Sequence, residues 1–198
     1  LAAASVAGMA ITSTLATAAW FARNEAERQR VRAEAEAETA RQTTRFMVDL
    51  FKVSDPSEAL GNTITAREIL DKGAARIDRE LVDQPAIQAT LMDTMGTVYT
   101  SLGLYDPAAQ LVRKGYERRQ KLWGENHPEV ASSLAHLGEV LTLKSDYEEA
   151  EQRLRAALEI RKQTFGGASR EVVDTLSLLA EVLGHKGEYV QGEALIRE

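Results

Sequence analysis

Residues 126–166 read NHPEVASSLAHLGEVLTLKSDYEEAEQRLRAALEIRKQTFG, and this stretch contains two helical patterns joined by a short break. Proline at the first helical position loses no hydrogen bond, so Pro128 marks a helix start that Asn126 or His127 can cap. Leucines then recur at helical spacing up to Leu141. The sequence therefore predicts a first helix that begins near Pro128.

The second pattern follows a break at residues 145–147. Ala150, Leu154 and Ala157 share one face of the predicted second helix. Gly166 comes where the end of a helix favours a left-handed residue, which glycine adopts without a steric penalty. The stretch therefore predicts a unit of two helices joined by a tight turn.

The same unit recurs at an offset of 42 residues in both directions. Tyr105, Tyr147 and Tyr189 occupy one position of the repeat, and Gly124 corresponds to Gly166. A fixed period with two helices per unit is the signature of a helical solenoid, in which each pair buries its apolar face on the next. We expect the recurring tyrosines to pack between helices.

The unit resembles the longer, kinesin-light-chain type of tetratricopeptide repeat. The positions that carry the family pattern in the second unit are Leu134, Leu137, Gly138, Leu141, Ala150, Leu154 and Ala157. In the first unit they are Met92, Met95, Gly96, Tyr99, Ala108, Val112 and Gly115. The third unit departs from the pattern, because Ala180 replaces the packing glycine and Gly192 replaces the packing alanine.

The predicted fold is all-α, a solenoid of helical hairpins preceded by a single transmembrane helix and a charged linker helix. Thr65 and Glu68 form a capping box that predicts the start of a further helix. The predicted segments are a membrane helix over 1–22, a linker helix over 23–45, a degenerate capping unit over 46–84, and repeats over 85–125, 126–167 and 168–198, the last truncated.

Residues 1–22 contain no charged side chain, and at about 1.5 Å per residue a helix of this length would cross a bilayer core of about 30 Å. A stripe of Ala4, Gly8 and Thr12 would allow close approach of two such helices, so a homodimer is one possibility. The alternative is a secreted or periplasmic protein whose signal segment is cleaved near Ala18.

A second resemblance concerns the region before the repeats. A predicted membrane span, a charged helix and the sequences at 51–56 and 65–71 are similar to the region after the catalytic domain of many bacterial serine/threonine protein kinases. In that family the repeats follow the span outside the cytoplasm. The resemblance implies a single-pass membrane protein with extracytoplasmic repeats, whereas the arginines at 23–32 favour cytoplasmic repeats.

Composition excludes several classes of function. The 198 residues include no cysteine, which excludes disulfides and thiolate metal sites, and the net charge of −6 argues against a nucleic-acid partner. The three histidines lack a second ligand at zinc-motif spacing, and no phosphate-binding loop or nucleophile motif occurs. We therefore predict a non-enzymatic chain without a cofactor, a metal ion or catalytic residues.

The remaining prediction is that the chain binds a protein or peptide. In the resembled family the first helix of each unit lines a concave groove, and the groove predicted here is rich in hydroxyls and mildly acidic. It would suit an extended peptide with basic or amide groups. The groove positions that the resemblance implies are Thr90, Asp93, Thr97, Thr100, Ser101, Ser132, Ala135, Glu139, Thr142, Leu143, Asp174, Ser177, Glu181 and His185.

The predicted function is thus a membrane-tethered tetratricopeptide-repeat interaction module, the sensory or scaffolding region of a bacterial serine/threonine protein kinase. The alternatives are a periplasmic adaptor, or a regulatory or dimerisation region of a parent protein whose active site lies elsewhere.

Overall fold

The computed structural model describes the backbone of residues 2–52 and 65–197 and the side chains of residues 19–49 and 65–197. All regular structure in this part of the chain is α-helical, as predicted. The helices are α1 (Ala2–Lys52), α2 (Ala66–Glu80), α3 (Pro85–Ser101), α4 (Tyr105–Trp123), α5 (Pro128–Leu143), α6 (Tyr147–Phe165), α7 (Arg170–His185) and α8 (Tyr189–Ile196).

Helix α1 is continuous over 51 residues and includes residues 2–22 of the predicted membrane helix and the predicted linker helix over 23–45. Internal contacts divide the chain into one unit over 1–45 and a second over 46–198. Within the described residues, we find no helix that combines the length and the apolar character needed to cross a bilayer. The predicted span over 1–22 therefore lacks structural support, and the side chains of residues 1–18 lie outside the described part.

The helix starts follow from local side-chain chemistry. Thr65 Oγ1 accepts a hydrogen bond from the Glu68 backbone N–H at 3.2 Å, and Glu68 Oε2 accepts one from the Thr65 N–H at 2.9 Å. This confirms the predicted capping box, whose reciprocal bonds satisfy two otherwise unpaired donors. His127 caps α5 through Nδ1, which accepts a bond from the Glu129 N–H at 3.2 Å.

The ends of α4 and α6 confirm the role predicted for the recurring glycines. Gly124 and Gly166 have φ of 82° and 81°, with ψ of 169° and 161°. This region of backbone space is essentially restricted to glycine, because a Cβ would clash there. Each glycine therefore turns the chain sharply from the second helix of one unit toward the first helix of the next.

Successive helices in the unit over 46–198 pack as hairpins, α3 with α4, α5 with α6 and α7 with α8, and each hairpin contacts the next. Leu137, Leu141 and Leu154 are almost completely buried in the core that runs through all three hairpins. A Cβ on Gly138 would lie 2.5 Å from Leu154 Cγ, so this glycine allows α5 and α6 to approach closely. The arrangement is the predicted solenoid.

The third hairpin shows why its departure from the repeat pattern is tolerated. Ala180 occupies the position of Gly138, and Gly192 occupies that of Ala150. A Cβ on Gly192 would lie 3.2 Å from the Ala180 carbonyl oxygen. In this hairpin the glycine at the close approach lies on the second helix, whereas in the preceding hairpin it lies on the first. The helices α7 and α8 therefore still pack closely.

The prediction for the recurring tyrosines is wrong in one case. Tyr105 and Tyr147 are half-buried, whereas Tyr189 is 71% exposed. Tyr147 is covered by the ring of His185 in the following hairpin, with ring centroids 5.0 Å apart. Among the described residues, no ring stacks on Tyr189 in this way.

The region before the repeats packs on the solenoid through α2 and the end of α1. Leu70 and Ile77 of α2 are buried, and Phe46 is 9% exposed with the guanidinium of Arg76 5.3 Å from its ring centroid. Such a cation–π contact adds modestly to apolar burial. The enlarged loop predicted over 55–62 lies outside the described residues.

Tyr99 joins α3 to α2, because its buried hydroxyl donates a hydrogen bond of 2.6 Å to Asp71 Oδ1. We expect Tyr99→Phe to destabilise the docking of α2 by about 1 kcal/mol, since the hydrogen bond is lost while the ring still fills its place. Hydrogen exchange of the α2 amides would measure this. The matched control is Tyr116→Phe, because the Tyr116 hydroxyl makes no hydrogen bond in the described part of the chain; equal effects of the two changes would contradict the prediction.

Candidate protein-binding face

The first helices of the three hairpins, α3, α5 and α7, expose a common surface that we call the first-helix face. The structure separates the predicted groove residues on it by exposure. Those that are exposed are Thr97, Ser101, Ser132, Glu139, Leu143, Asp174, Ser177, Glu181 and His185. Those that are half-buried are Thr90, Asp93 and Thr100.

Two predicted groove residues are corrected by the structure. Ala135 is 5% exposed and Thr142 is 8% exposed, so both pack beneath the first-helix face and do not line it. The reason is that α5 is the middle first helix and contacts both α3 and α7. Its flanks are covered by neighbours on each side.

The hydroxyl groups of this face share one hydrogen-bonding pattern. Each donates its hydrogen to the backbone carbonyl four residues earlier in its own helix, at distances such as 3.2 Å for Thr97 to Asp93 and 3.0 Å for Ser177 to Val173. The same bond is made on this face by Thr90, Thr94, Thr100, Ser101 and Ser132, and beneath it by Thr142. A hydroxyl that has donated its hydrogen can still accept, so the exposed oxygens offer lone pairs outward.

Asp93 is engaged in an internal ion pair instead of facing a ligand. Arg119 of α4 is 5% exposed, and its Nη1 donates to both Asp93 Oδ2 and Ser133 Oγ. Ser133 Oγ donates in turn to Asp93 Oδ2 at 3.2 Å, and Arg119 Nε lies 3.5 Å from Glu129 Oε2. This cluster joins α3, α4 and α5 under the first-helix face.

A second arginine, which is half-buried, occupies the same repeat position. Arg161 lies 42 residues after Arg119, and its Nη1 donates to Thr175 Oγ1 at 2.6 Å and to the Glu171 carbonyl oxygen at 3.0 Å. Burial lowers the pKa of both arginines, which still stay charged at neutral pH. Sequence reasoning missed this link between consecutive hairpins, although the recurrence of arginine at one offset was a usable signal.

Sequence reasoning also missed His136, which lies on α5 between the predicted positions. Its Nε2 is 3.4 Å from Thr97 Oγ1 on α3, so the imidazole bridges two first helices. Burial lowers the pKa of His136, and the charge of Arg119 lowers it further. The neutral form is therefore favoured in the folded chain.

The lowered pKa of His136 predicts a loss of stability on acidification. An unfolded histidine has a pKa of about 6.5, so below that pH the unfolded chain binds a proton that the folded chain resists, and stability falls as pH falls. We expect chemical denaturation between about pH 7 and pH 5.5 to show a smaller decrease for His136→Gln than for the unchanged chain. Identical pH slopes would contradict this.

The described residues contain no group of three or more histidine and carboxylate side chains that could hold a metal ion. The first-helix face is thus a polar surface above a packed core, with hydroxyl oxygens, carboxylates and imidazoles as its chemical groups.

Comparison with known sequences identifies this architecture. Tetratricopeptide repeat profiles match residues 88–129, 116–163 and 129–198, which together exceed half of the chain. The chain belongs to the tetratricopeptide repeat family. Repeats of this family generally bind protein partners and are typically non-catalytic, so this tetratricopeptide-repeat chain is a module for protein–protein interaction. No curated protein matches it in a sequence comparison.

Solved structures share the fold of the tetratricopeptide-repeat chain. A kinesin-light-chain-like protein of Podospora anserina with nearly identical TPR-like repeats gives a TM-score of 0.57 at 17% identity, covering 66% of this chain and 61% of that one. BtubC (BKLC) from P. vanneervenii gives a TM-score of 0.57 at 18% identity, covering 83% of this chain and 72% of that one. These similarities confirm the predicted resemblance to kinesin-light-chain-type repeats at the level of fold.

Proposed function

We propose that the first-helix face is the surface on which this tetratricopeptide-repeat chain holds its protein ligand. The observation that carries the proposal is the exposure of polar side chains at equivalent positions of three consecutive hairpins, above one continuous cluster of buried apolar residues. Thr97, Glu139 and Glu181 are all exposed and are separated by 42 residues each. A ligand segment that runs along the face would meet the same position of each repeat in turn.

Site-specific photo-crosslinking tests this proposal. A photoreactive residue at Thr97 or at Ser177 should crosslink to a ligand, whereas one at Gln110, which is exposed on α4, should not. Mass spectrometry would identify the protein and the crosslinked peptide. The purified ligand should then bind less tightly to Ser177→Trp than to Gln110→Trp, because only the first change obstructs the first-helix face. Equal binding to both variants would contradict the proposal.

We also propose, on the sequence resemblance, that the chain is the membrane-tethered sensory or scaffolding region of a bacterial serine/threonine protein kinase, with its repeats outside the cytoplasm. The support is the uncharged stretch over 1–22 and the kinase-associated sequences at 51–56 and 65–71. Membrane fractionation of the protein in its native host tests the tether. A soluble protein whose N-terminus begins shortly after Ala18 would favour the periplasmic adaptor instead.

A dimerisation or regulatory region is the other function that the sequence favours. It rests on the small-residue stripe at Ala4, Gly8 and Thr12. Sedimentation of the detergent-solubilised protein, with and without Gly8→Leu, separates a dimer held by this stripe from a monomer that only binds a ligand. The first-helix face does not take part in this alternative.

A further inference from the structure

Charge is divided unequally between the first and second helices of the hairpins. Helices α3, α5 and α7 contain six carboxylates and one arginine, which is Arg170 at the start of α7. The second helices α4, α6 and α8 together contain nine lysines and arginines against seven carboxylates. The first-helix face is therefore the acidic side of the solenoid, and its field would attract a cationic partner.

Only some of these carboxylates are available to a partner. Asp93 and Glu129 are held by the buried Arg119, and Asp174 lies 3.7 Å from Arg170. Glu139 is exposed and makes no ion pair in the described part of the chain. Within the described residues Glu181 pairs with His185 alone, Glu181 Oε1 lying 3.8 Å from His185 Nε2, and the Glu181 side chain is 55% exposed. Glu171 at the start of α7 is also exposed and its carboxylate makes no ion pair in the described residues, so Glu139 and Glu181 are the free carboxylates that share one repeat position.

The neutral hydroxyl groups around these carboxylates also favour a partner that donates hydrogen bonds. The hydroxyl hydrogens of Ser101 and Ser177 are donated to their own helices, which leaves their oxygen lone pairs free to accept, and Thr97 Oγ1 has one lone pair besides the contact with His136. Hydrogen-bond donors on a partner would complement these oxygens. Lysine and arginine supply donors and positive charge together, and a charge-assisted hydrogen bond is about twice as strong as a neutral one.

The spacing of the repeats restricts the shape of the partner. Thr97, Glu139 and Glu181 occupy the same position on α3, α5 and α7, and these three helices contact one another in sequence. Packed helices are about 8–10 Å apart. A polyproline-II segment rises about 3.1 Å per residue with three residues per turn, so its side chains return to one side every ~9.3 Å.

We propose that the first-helix face binds an extended polyproline-II segment with lysine or arginine at every third position. Its cations lie against Thr97 Oγ1, Glu139 and Glu181 in turn, one for each hairpin. This inference rests on the proposed function and adds the chemistry and the spacing of the ligand. It accounts for the outward hydroxyl oxygens, the free carboxylates of Glu139 and Glu181 and the recurrence at 42 residues.

Two synthetic peptides of equal composition test the proposal with the full chain. One repeats Arg-Pro-Pro four times, and the other places its four arginines together at one end. Fluorescence anisotropy should show tighter binding of the periodic peptide, weakened as salt is raised. Glu139→Gln and Glu181→Gln should each weaken binding about two- to fivefold, and the double variant about tenfold. The control is Glu117→Gln, which removes an exposed charge from α4.

The outcomes separate this inference from the proposed function. Equal affinity of the two peptides, or unchanged binding by the double variant, would overturn the inference. If a crosslinked protein ligand still responds to Ser177→Trp in that case, the proposed function stands without it. Self-association of the chain that is abolished by Glu139→Gln and Glu181→Gln would also overturn the inference, because the partner would then be the basic surface of a second copy.

Discussion

Arg119→Ala is expected to lower the free energy of unfolding by about 3 kcal/mol, because removing one partner of a buried ion pair leaves the other charge uncompensated. Arg119 is 5% exposed, and its removal leaves the Asp93 carboxylate with only the Ser133 hydroxyl as a hydrogen-bond donor. We place the effect at the lower end of the usual range since the Asp93 side chain keeps 19% of its exposure. Chemical denaturation followed by circular dichroism would measure the loss.

The second hairpin provides the control for this prediction. There Ala135 stands in the place of Asp93 and Ala157 in the place of Gly115. The hydrogen bonds that Arg161 makes within the described residues go to the following hairpin. We therefore expect the double change Asp93→Ala with Gly115→Ala to cost less than Arg119→Ala, because Arg119 keeps Ser133.

The exposed Arg155 offers a matched arginine whose bond to Glu151 lies within one helix. If Arg155→Ala destabilised the chain as much as Arg119→Ala, the buried cluster would not have the role given to it. Because repeat arrays unfold in parts, hydrogen exchange should also show the loss concentrated in α3, α4 and α5.

The fold was predictable from the sequence because its decisive signals are local or periodic. A capping box at Thr65, a proline after His127 and a glycine at 166 each act within one turn of backbone, and each was found where it was expected. Because the pattern recurs every 42 residues, the hairpin predicted for one unit is predicted for the other two as well. Such signals require no knowledge of which side chains meet across the fold.

The candidate site was predicted less well, because its residues depend on contacts between helices. Asp93 lies at a repeat position where a carboxylate could bind a ligand. Its carboxylate instead accepts a hydrogen bond from Arg119 of α4. Thr142 is chemically similar to Thr100 but is buried, since α5 is covered by α3 and α7 together. Repeat position alone does not distinguish a middle helix from an outer one.

Tyr189 is the converse case, a residue that the repeat position predicts to be buried and that the structure shows exposed. The repeat position predicts a packed tyrosine, but packing requires the next first helix to cover it. Its side chain is 71% exposed, whereas Tyr147 is stacked on His185. Periodicity therefore predicts the residue type reliably and the burial only where a neighbour is present.

The second large expected effect is that one substitution, glycine to alanine, changes stability with opposite signs at two positions. At Gly138 the added Cβ would lie 2.5 Å from Leu154 Cγ, and Leu154 is completely buried. Cγ is close to the backbone and cannot swing away, so α5 and α6 must separate. Overpacking of this kind costs about 1–3 kcal/mol, which outweighs the gain of about 0.5–1 kcal/mol from replacing glycine in a helix.

Gly184 is the control, because it also lies in a first helix but a Cβ there would meet no atom within 4 Å. Gly184→Ala should therefore raise the free energy of unfolding by about 0.5 kcal/mol, because alanine lowers the conformational entropy of the unfolded chain and makes no clash in the folded one. Urea denaturation of the two variants beside the unchanged chain would measure both signs. The chain itself provides a precedent, since alanine is accepted at 180 where Gly192 faces it. If Gly138→Ala were as stabilising as Gly184→Ala, close approach of α5 and α6 would not depend on the missing side chain, and the packing assigned to the repeat glycine would be wrong.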